Sequence, residues 1–118
     1  MFLLLTDGPD DADAALPFVA AKGALADGDD VSLVAMADAV HLLTTDTDRH
    51  AIAASGLPTV GRTIERLRDS DALADAVALR DCCAARDIEE ADLAEWATMD
   101  DERAVSRLAA DHDTTLSF

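Results

Sequence analysis

Two adjacent cysteines, Cys82 and Cys83, are the residues of this sequence with the most specific chemistry, and they are the only thiols in the chain. They lie in the stretch RDCCAARDI, which begins at Arg80. A thiol acts as a nucleophile or sulfur carrier in its thiolate form, which a helix N-terminus and nearby cations stabilise. We predict that a helix begins near Cys82, so that Arg86 faces it across one turn. The alternative is that Cys82 is a small apolar residue packing at a corner between a strand and a helix.

Other uses of the cysteines are disfavoured by geometry and spacing. Adjacent Cα atoms lie about 3.8 Å apart, below the roughly 4.4 Å at which disulfides begin, so a bond between Cys82 and Cys83 would be strained. We expect no metal site, because the chain has no CxxC pair and its three histidines are distant in sequence. A third possibility is a thiol hydrolase or redox enzyme that uses Cys82 with His41, which requires the two side chains to lie within roughly 4 Å or to be bridged by one water. Otherwise His41 is a core or interface histidine.

The elements that must position these residues alternate between strand and helix. The apolar patterns predict strands at 2–6, 31–36, 76–79, 93–98 and 114–118, helices at 11–26, 38–43, 60–68, 82–87 and 101–110, and a mostly irregular segment at 44–58. Pro17 falls inside the first helix, where it would cost a hydrogen bond or bend the first turns. Alternating strands and helices predict one α/β domain over residues 1–118, doubly wound, with a mostly parallel sheet of about five strands.

In such folds, ligands and catalytic groups collect in loops at the carboxyl ends of the strands. Three loops meet this description: Asp7–Asp11, Ala37–His41 and Arg80–Cys83. The candidate residues in the first two, besides Cys82 in the third, are Asp7, Gly8, Pro9 and His41. The first loop, TDGPDD, has neither GxGxxG nor a lysine, and its carboxylates repel phosphate. We therefore expect no nucleotide and no organic cofactor.

The charge of the chain excludes several classes of partner. Nine basic and 25 acidic residues give a net charge of −16; 20 of the acids are Asp, and Lys22 is the one lysine. Such a surface repels nucleic acids and anionic membranes. It resembles the surfaces of proteins from salt-accumulating halophilic archaea, in which concentrated cations screen the carboxylates. The apolar opening FLLLT is too short for a membrane span and has no basic region before it, so we expect a cytoplasmic protein with reduced thiols.

Four segments together resemble the DsrE/DsrF-like family, small proteins of sulfur relay and sulfur oxidation. They are LLLTDGPDDADAALPFVAAKGALADGDDVSLVAM, similar to the family's first strand, Gly-Pro loop, helix and second strand; ADAVHLL; CCAARDI, similar to its Cys-x-x-x-Arg-Gly-Ile turn; and the closing helix with TTLSF. They follow the family's order along nearly the full length. The resemblance implies a doubly wound α/β fold and assembly into homotrimers, hexamers or heteromers. It also implies a cysteine that carries sulfur as a persulfide from a donor to a partner's thiol.

The sequence departs from the family's pattern around the cysteines. Many members have Cys-x-x-Cys-x-x-x-Arg-Gly, and alignment on Arg86 places Cys82 at the second cysteine and Leu79 at the first. Asp87 stands where glycine is usual, and Cys83 is additional. Two hypotheses follow. In the first, Cys82 carries sulfane sulfur, Arg86 stabilises its thiolate or persulfide, and Cys83 is a secondary candidate. In the second, the chain is a non-catalytic oligomeric subunit or a small-ligand-binding protein whose cysteines are packing residues.

Overall fold

Five short strands form one parallel sheet in a computed structural model, which describes residues 1–118. They are β1 (Phe2–Leu5), β2 (Val31–Ala35), β3 (Leu73–Leu79), β4 (Thr98–Asp100) and β5 (Thr115–Ser117). Their order across the sheet is β4-β3-β2-β1-β5, and every neighbouring pair is parallel. The α/β fold with a five-stranded, doubly wound sheet is therefore confirmed.

Helices and 3₁₀ turns make the connections between the strands. The α-helices are α1 (Leu16–Ala26), α2 (Val60–Asp69), α3 (Arg80–Ala84) and α4 (Arg103–Asp111), and the 3₁₀ turns are Ala12–Ala15, Ala37–Leu43, Arg49–Ala51 and Glu90–Asp92. Because α1 begins at Leu16, Pro17 lies in its first turn, where the missing N–H costs no helical hydrogen bond. The cost or bend predicted at Pro17 is therefore wrong. None of the helices is long and apolar enough to cross a bilayer.

Alternate residues of the strands face opposite sides of the sheet, and each side has its own core. Leu3 and Leu33 belong to the main core of 24 buried residues, which includes the inner faces of α1 and α2. Phe2 and Val34 belong to a smaller cluster of five buried residues, to which α4 contributes Ala104 and Leu108. The sheet is thus covered on both faces, and the α4 face has the thinner cover.

The structure differs most from the predicted elements after β3. The predicted strand at 93–98 is wrong, since β4 spans Thr98–Asp100. Leu93 makes only an isolated antiparallel bridge to Thr44. Leu93 and Ala94 are buried without belonging to a strand, and a short apolar run of this kind has the same pattern as a buried strand. The helix predicted from 82 begins two residues earlier, at Arg80.

Candidate functional site

Three loops meet at the carboxyl edge of the sheet, around Ala37 and Asp38, the residues that follow β2 and Met36. From the end of β3, the Sγ of Cys82 accepts the N–H of Ala37 with an N···S distance of 3.2 Å. From the end of β1, Gly8 lies so close that a Cβ added to it would be 2.8 Å from the Cβ of Asp38. The three loops expected at this edge therefore do come into contact.

Cys82 is partly exposed and is the third residue of α3. This helix has only five residues, so few peptide dipoles align, and the helix N-terminus contributes less than the sequence pattern predicted. The donor to the sulfur is instead the N–H of Ala37, from the neighbouring loop. Ala37 has a φ of 50°, a left-handed conformation that costs an L-residue roughly 1–2 kcal/mol. The fold maintains this strained residue at the point where its N–H contacts the thiol.

Arg86 connects two of the loops and does not contact the thiol. Its Nε donates to the Oδ1 of Asp38 at 3.1 Å, its Nη2 lies 3.0 Å from the same oxygen, and its Nη1 donates to the carbonyl of Cys82 at 3.2 Å. Arg86 therefore bonds to the backbone of Cys82, which it was predicted to face across one turn, and makes no hydrogen bond to the sulfur. The guanidinium instead holds Asp38 against α3, close to the thiol.

Cys83 is fully buried in the main core. Burial raises the pKa of its thiol, the negative charge of a Cys82 thiolate adds to the rise, and the positive charge of Arg86 acts in the opposite direction. The carbonyl of Cys83 accepts the N–H of Ile88 at 2.9 Å, which closes the turn after α3. Both cysteines are free thiols. Cys83 is thus a packing residue that stays protonated near neutral pH.

A cavity of about 510 Å³ lies beside Asp38 and the loop that follows β1. Its lining is Thr6, Asp7, Gly8, Pro9, Asp10, Asp11, Ala12, Asp38 and His41. The candidate binding residues of the first two loops therefore share one cavity, whereas neither cysteine lines it. Four carboxylates in the wall disfavour an anionic ligand. His41 and Cys82 are not joined by a direct hydrogen bond.

The three histidines occupy separate places. The Nε2 of His50 lies at hydrogen-bond distance, 2.9 Å, from the Oε1 of Glu65. His112 lies between the N-terminal amine, at 3.1 Å, and the hydroxyl of Ser32, at 3.0 Å. His41 lies in the acidic cavity. No group of three His, Cys, Asp or Glu side chains is placed to hold a metal ion.

Sequence reasoning did not single out Ala37 and Asp38 individually. Ala37 contributes to the site through its backbone N–H, which every residue except proline has, so its residue type gives no signal. Asp38 is one of 20 aspartates, so nothing in the sequence distinguishes it from the others. Asp87, by contrast, carried a signal. Its φ is 56°, a conformation that glycine adopts without strain, which accounts for the glycine usual at this position in the family that the sequence resembles.

Comparisons with known proteins agree with this architecture. The sequence model of the DsrE/DsrF-like family matches residues 1–118. The crystal structure of the ychN protein from E. coli matches with a TM-score of 0.74 and 16% sequence identity. The structure of MTH1491, a protein of unknown function from Methanobacterium thermoautotrophicum, matches with a TM-score of 0.73 and 14% identity. Each match covers 99% of this chain and 97% of the other chain. At such identities the two structures show a shared fold. No curated protein matches the sequence. Because the family model spans the whole chain, the protein belongs to the DsrE/DsrF-like family.

Proposed function

We propose that the protein is an intracellular sulfur-relay protein that carries sulfane sulfur on Cys82. The observation that carries the proposal is the position of Cys82. The residue is partly exposed at the carboxyl edge of the sheet, and its sulfur accepts the N–H of Ala37 at 3.2 Å. A fixed N–H donor is stronger toward an anionic acceptor than toward a neutral one. It therefore favours the thiolate that attacks. Membership in a family whose active members carry sulfur on a cysteine supports the same proposal.

Each transfer is a thiolate displacement at sulfur. In loading, the Cys82 thiolate attacks the terminal sulfur of a donor persulfide; a bond forms between Sγ and that sulfur, the donor's S–S bond breaks, and the electron pair leaves on the donor's thiolate. In unloading, the thiolate of an acceptor protein attacks the terminal sulfur of the Cys82 persulfide, and Cys82 is released as thiolate. Electrons balance within each step, so the relay requires no organic cofactor or metal.

Arg86 acts in this scheme as a positioning residue. Its contacts with Asp38 and with the carbonyl of Cys82 fix the Ala37 loop relative to α3, and this maintains the N–H···S contact. Its positive charge also acts against the rise that burial causes in the pKa of the neighbouring Cys83 thiol. Arg86→Gln should therefore slow loading of Cys82 without abolishing it.

Assembly into a homotrimer, a hexamer or a heteromer with related subunits is part of the proposal. Four large apolar side chains are at least 36% exposed: Leu16, Val19, Leu116 and Phe118. Leu116 and Phe118 lie in and just after the edge strand β5, and the α4 face has the thinner core. These surfaces are available for a second chain, and sedimentation in concentrated KCl measures whether they are used.

The proposal is tested by loading the protein with a small-molecule persulfide donor in concentrated KCl and measuring intact mass. The wild type should gain the mass of one sulfur atom per chain, and alkylation with peptide mapping should place it on Cys82. Cys83→Ala is the matched control and should load normally, whereas Cys82→Ser should not load. If Cys82 stays unmodified under conditions that load a control relay protein, the proposal is wrong.

A second candidate is a non-catalytic subunit or small-ligand-binding protein of the same family. Two observations favour it: Leu79 occupies the position of the family's first cysteine, and the guanidinium of Arg86 pairs with Asp38 and leaves the thiol without it. In that case the acidic cavity at Asp7–Asp11 is the functional feature. A Cys82 that is inaccessible to thiol reagents in the native assembly would support this candidate over the first.

A further inference from the structure

The positive charges of this acidic protein are distributed unevenly. Five of its nine basic residues form ion pairs with carboxylates: Arg68, Arg80, Arg86, Arg103 and Arg107. Arg49 donates to the carbonyls of Leu42 and Thr44 and lies 5.1 Å from the ring centre of Trp96. The remaining three, Lys22, Arg62 and Arg66, are exposed and make neither an ion pair nor a side-chain hydrogen bond. In a chain with 25 acidic residues, three free cations require explanation.

These three cations line one groove between α1 and α2. The groove has a volume of about 260 Å³, and its lining is Lys22, Leu25, Pro58, Arg62, Thr63 and Arg66. It contains no carboxylate, although more than one residue in five of the chain is acidic. Glu65 and Asp69 border a separate cleft that also touches the two arginines, and neither pairs with them. The groove is therefore a local positive site on a negative surface.

Thr63 adds a polar side chain to the lining of the groove. Its side chain is only 4% exposed, and its hydroxyl makes no hydrogen bond within the protein. Every fully enclosed side-chain polar atom in the structure has a partner, so the Thr63 hydroxyl keeps some access to solvent. Thr63 is one of the residues that line the groove. A hydroxyl that bonds to no protein group can donate to or accept from a polar ligand that enters the groove.

We propose that this groove binds a phosphate group, either as inorganic phosphate or as the phosphate of a small monoester. Arg62 and Arg66 lie one turn apart on α2, which places both guanidiniums on one side of the helix, and Lys22 approaches from α1. Guanidinium forks match the oxygens of phosphate in pairs, and an ammonium adds a point charge. The hydroxyl of Thr63 supplies one further hydrogen bond. Leu25 and Pro58 give the groove an apolar wall suited to the carbon portion of a monoester.

Titration calorimetry with inorganic phosphate and with glycerol phosphate, in molar KCl, tests the proposal. The wild type should bind at least one of them saturably; tighter binding of the ester identifies a monoester site, and equal affinity identifies a site for the phosphate group alone. Arg62→Gln and Arg66→Gln should each weaken binding at least about tenfold, as expected for loss of a charge-assisted hydrogen bond. Thr63→Val should weaken binding by a smaller factor.

Arg107→Gln is the matched control, because Arg107 is an exposed arginine on α4 that pairs with Asp100 away from the groove. It should bind phosphate as the wild type does, and circular dichroism of all variants establishes that they fold. Absence of saturable binding by the wild type overturns the proposal, as does equal weakening in the control. Sedimentation distinguishes a third outcome. If phosphate does not bind and Arg62→Gln changes the assembly state, the groove is occupied by a carboxylate of another chain. In that case the proposal is wrong.

Discussion

The two adjacent cysteines should differ strongly in their rates of alkylation in the native protein. Cys82 is partly exposed at the carboxyl edge of the sheet, whereas Cys83 has no exposed surface and belongs to the main core. A reagent reaches Cys82 directly. It reaches Cys83 only when α3 separates from the core.

The size of the difference follows from the free energy of opening. If Cys83 is exposed only by unfolding, a stability at the lower end of the usual range, about 5 kcal/mol, leaves the thiol accessible in roughly one molecule in several thousand. The alkylation rate of Cys83 should then be about a thousandfold or more below that of Cys82. The raised pKa of the Cys83 thiol acts in the same direction, because it reduces the thiolate that reacts.

The assay is iodoacetamide labelling in concentrated KCl, with aliquots quenched over time and each cysteine quantified by peptide mass spectrometry. Cys82→Ser and Cys83→Ala assign the fast and slow phases, and labelling in denaturant should make the two rates comparable. Fast labelling of both cysteines, at rates within tenfold of each other in the native protein, would refute the packing role of Cys83. A Cys82 as slow as Cys83 would remove the basis for the sulfur-carrier proposal.

Three further predictions concern the frame of the site and the surface. Gly8→Ala should destabilise the protein to urea by about 1–3 kcal/mol, because its Cβ would lie 2.8 Å from the Cβ of Asp38; an unchanged midpoint would contradict this close approach. Hydrogen bonds from the side chain and backbone of Arg103 lower the pKa of Asp101 from 3.8 to about 2, and Arg103→Gln should raise it in a carboxyl NMR titration. Because the folded pKa is the lower one, this contact's stabilising effect is full above about pH 4 and is lost as the pH falls toward 2. At about 10 mM salt the Debye length of roughly 30 Å approaches the 36 Å length of the molecule, so the carboxylates repel one another across the whole protein. The net charge of −16 should therefore make the fold less stable at this salt concentration than in molar KCl. Equal stability by circular dichroism at both concentrations would contradict a halophilic origin.

The fold could be predicted where an apolar pattern in the sequence corresponds to a single strand or helix. β1 and β2 are fully or mostly buried apolar runs, and their predicted ends were correct to within one residue. α2 and α4 have clear apolar faces and were also predicted closely. The prediction was wrong for β4, because Leu93 and Ala94 are buried in an irregular segment. Burial alone produces the same apolar pattern as strand pairing.

The candidate site could be predicted at the level of loops but not of contacts. The alternation of strands and helices was sufficient to place Cys82 and His41 at the same edge of the sheet. The sequence pattern did not reveal that the guanidinium of Arg86 bonds to Asp38. A spacing of four residues places Arg86 near Cys82, but it does not show which carboxylate from another loop lies within reach of the guanidinium. The contact that matters most, from the N–H of Ala37, depends on a left-handed φ that alanine rarely adopts.

The different environments of the two cysteines follow from helix geometry. Successive side chains on a helix point about 100° apart, because a turn contains 3.6 residues, so a helix with one face on the core cannot bury both neighbours equally. In α3, Cys83 is buried in the core and Cys82 is partly exposed at the carboxyl edge of the sheet. Leu79, which the family resemblance aligns with a first cysteine, is itself only 9% exposed at the end of β3. Leu79 and Cys83 thus both pack in the interior, and the sulfur-carrier proposal therefore depends on Cys82 alone.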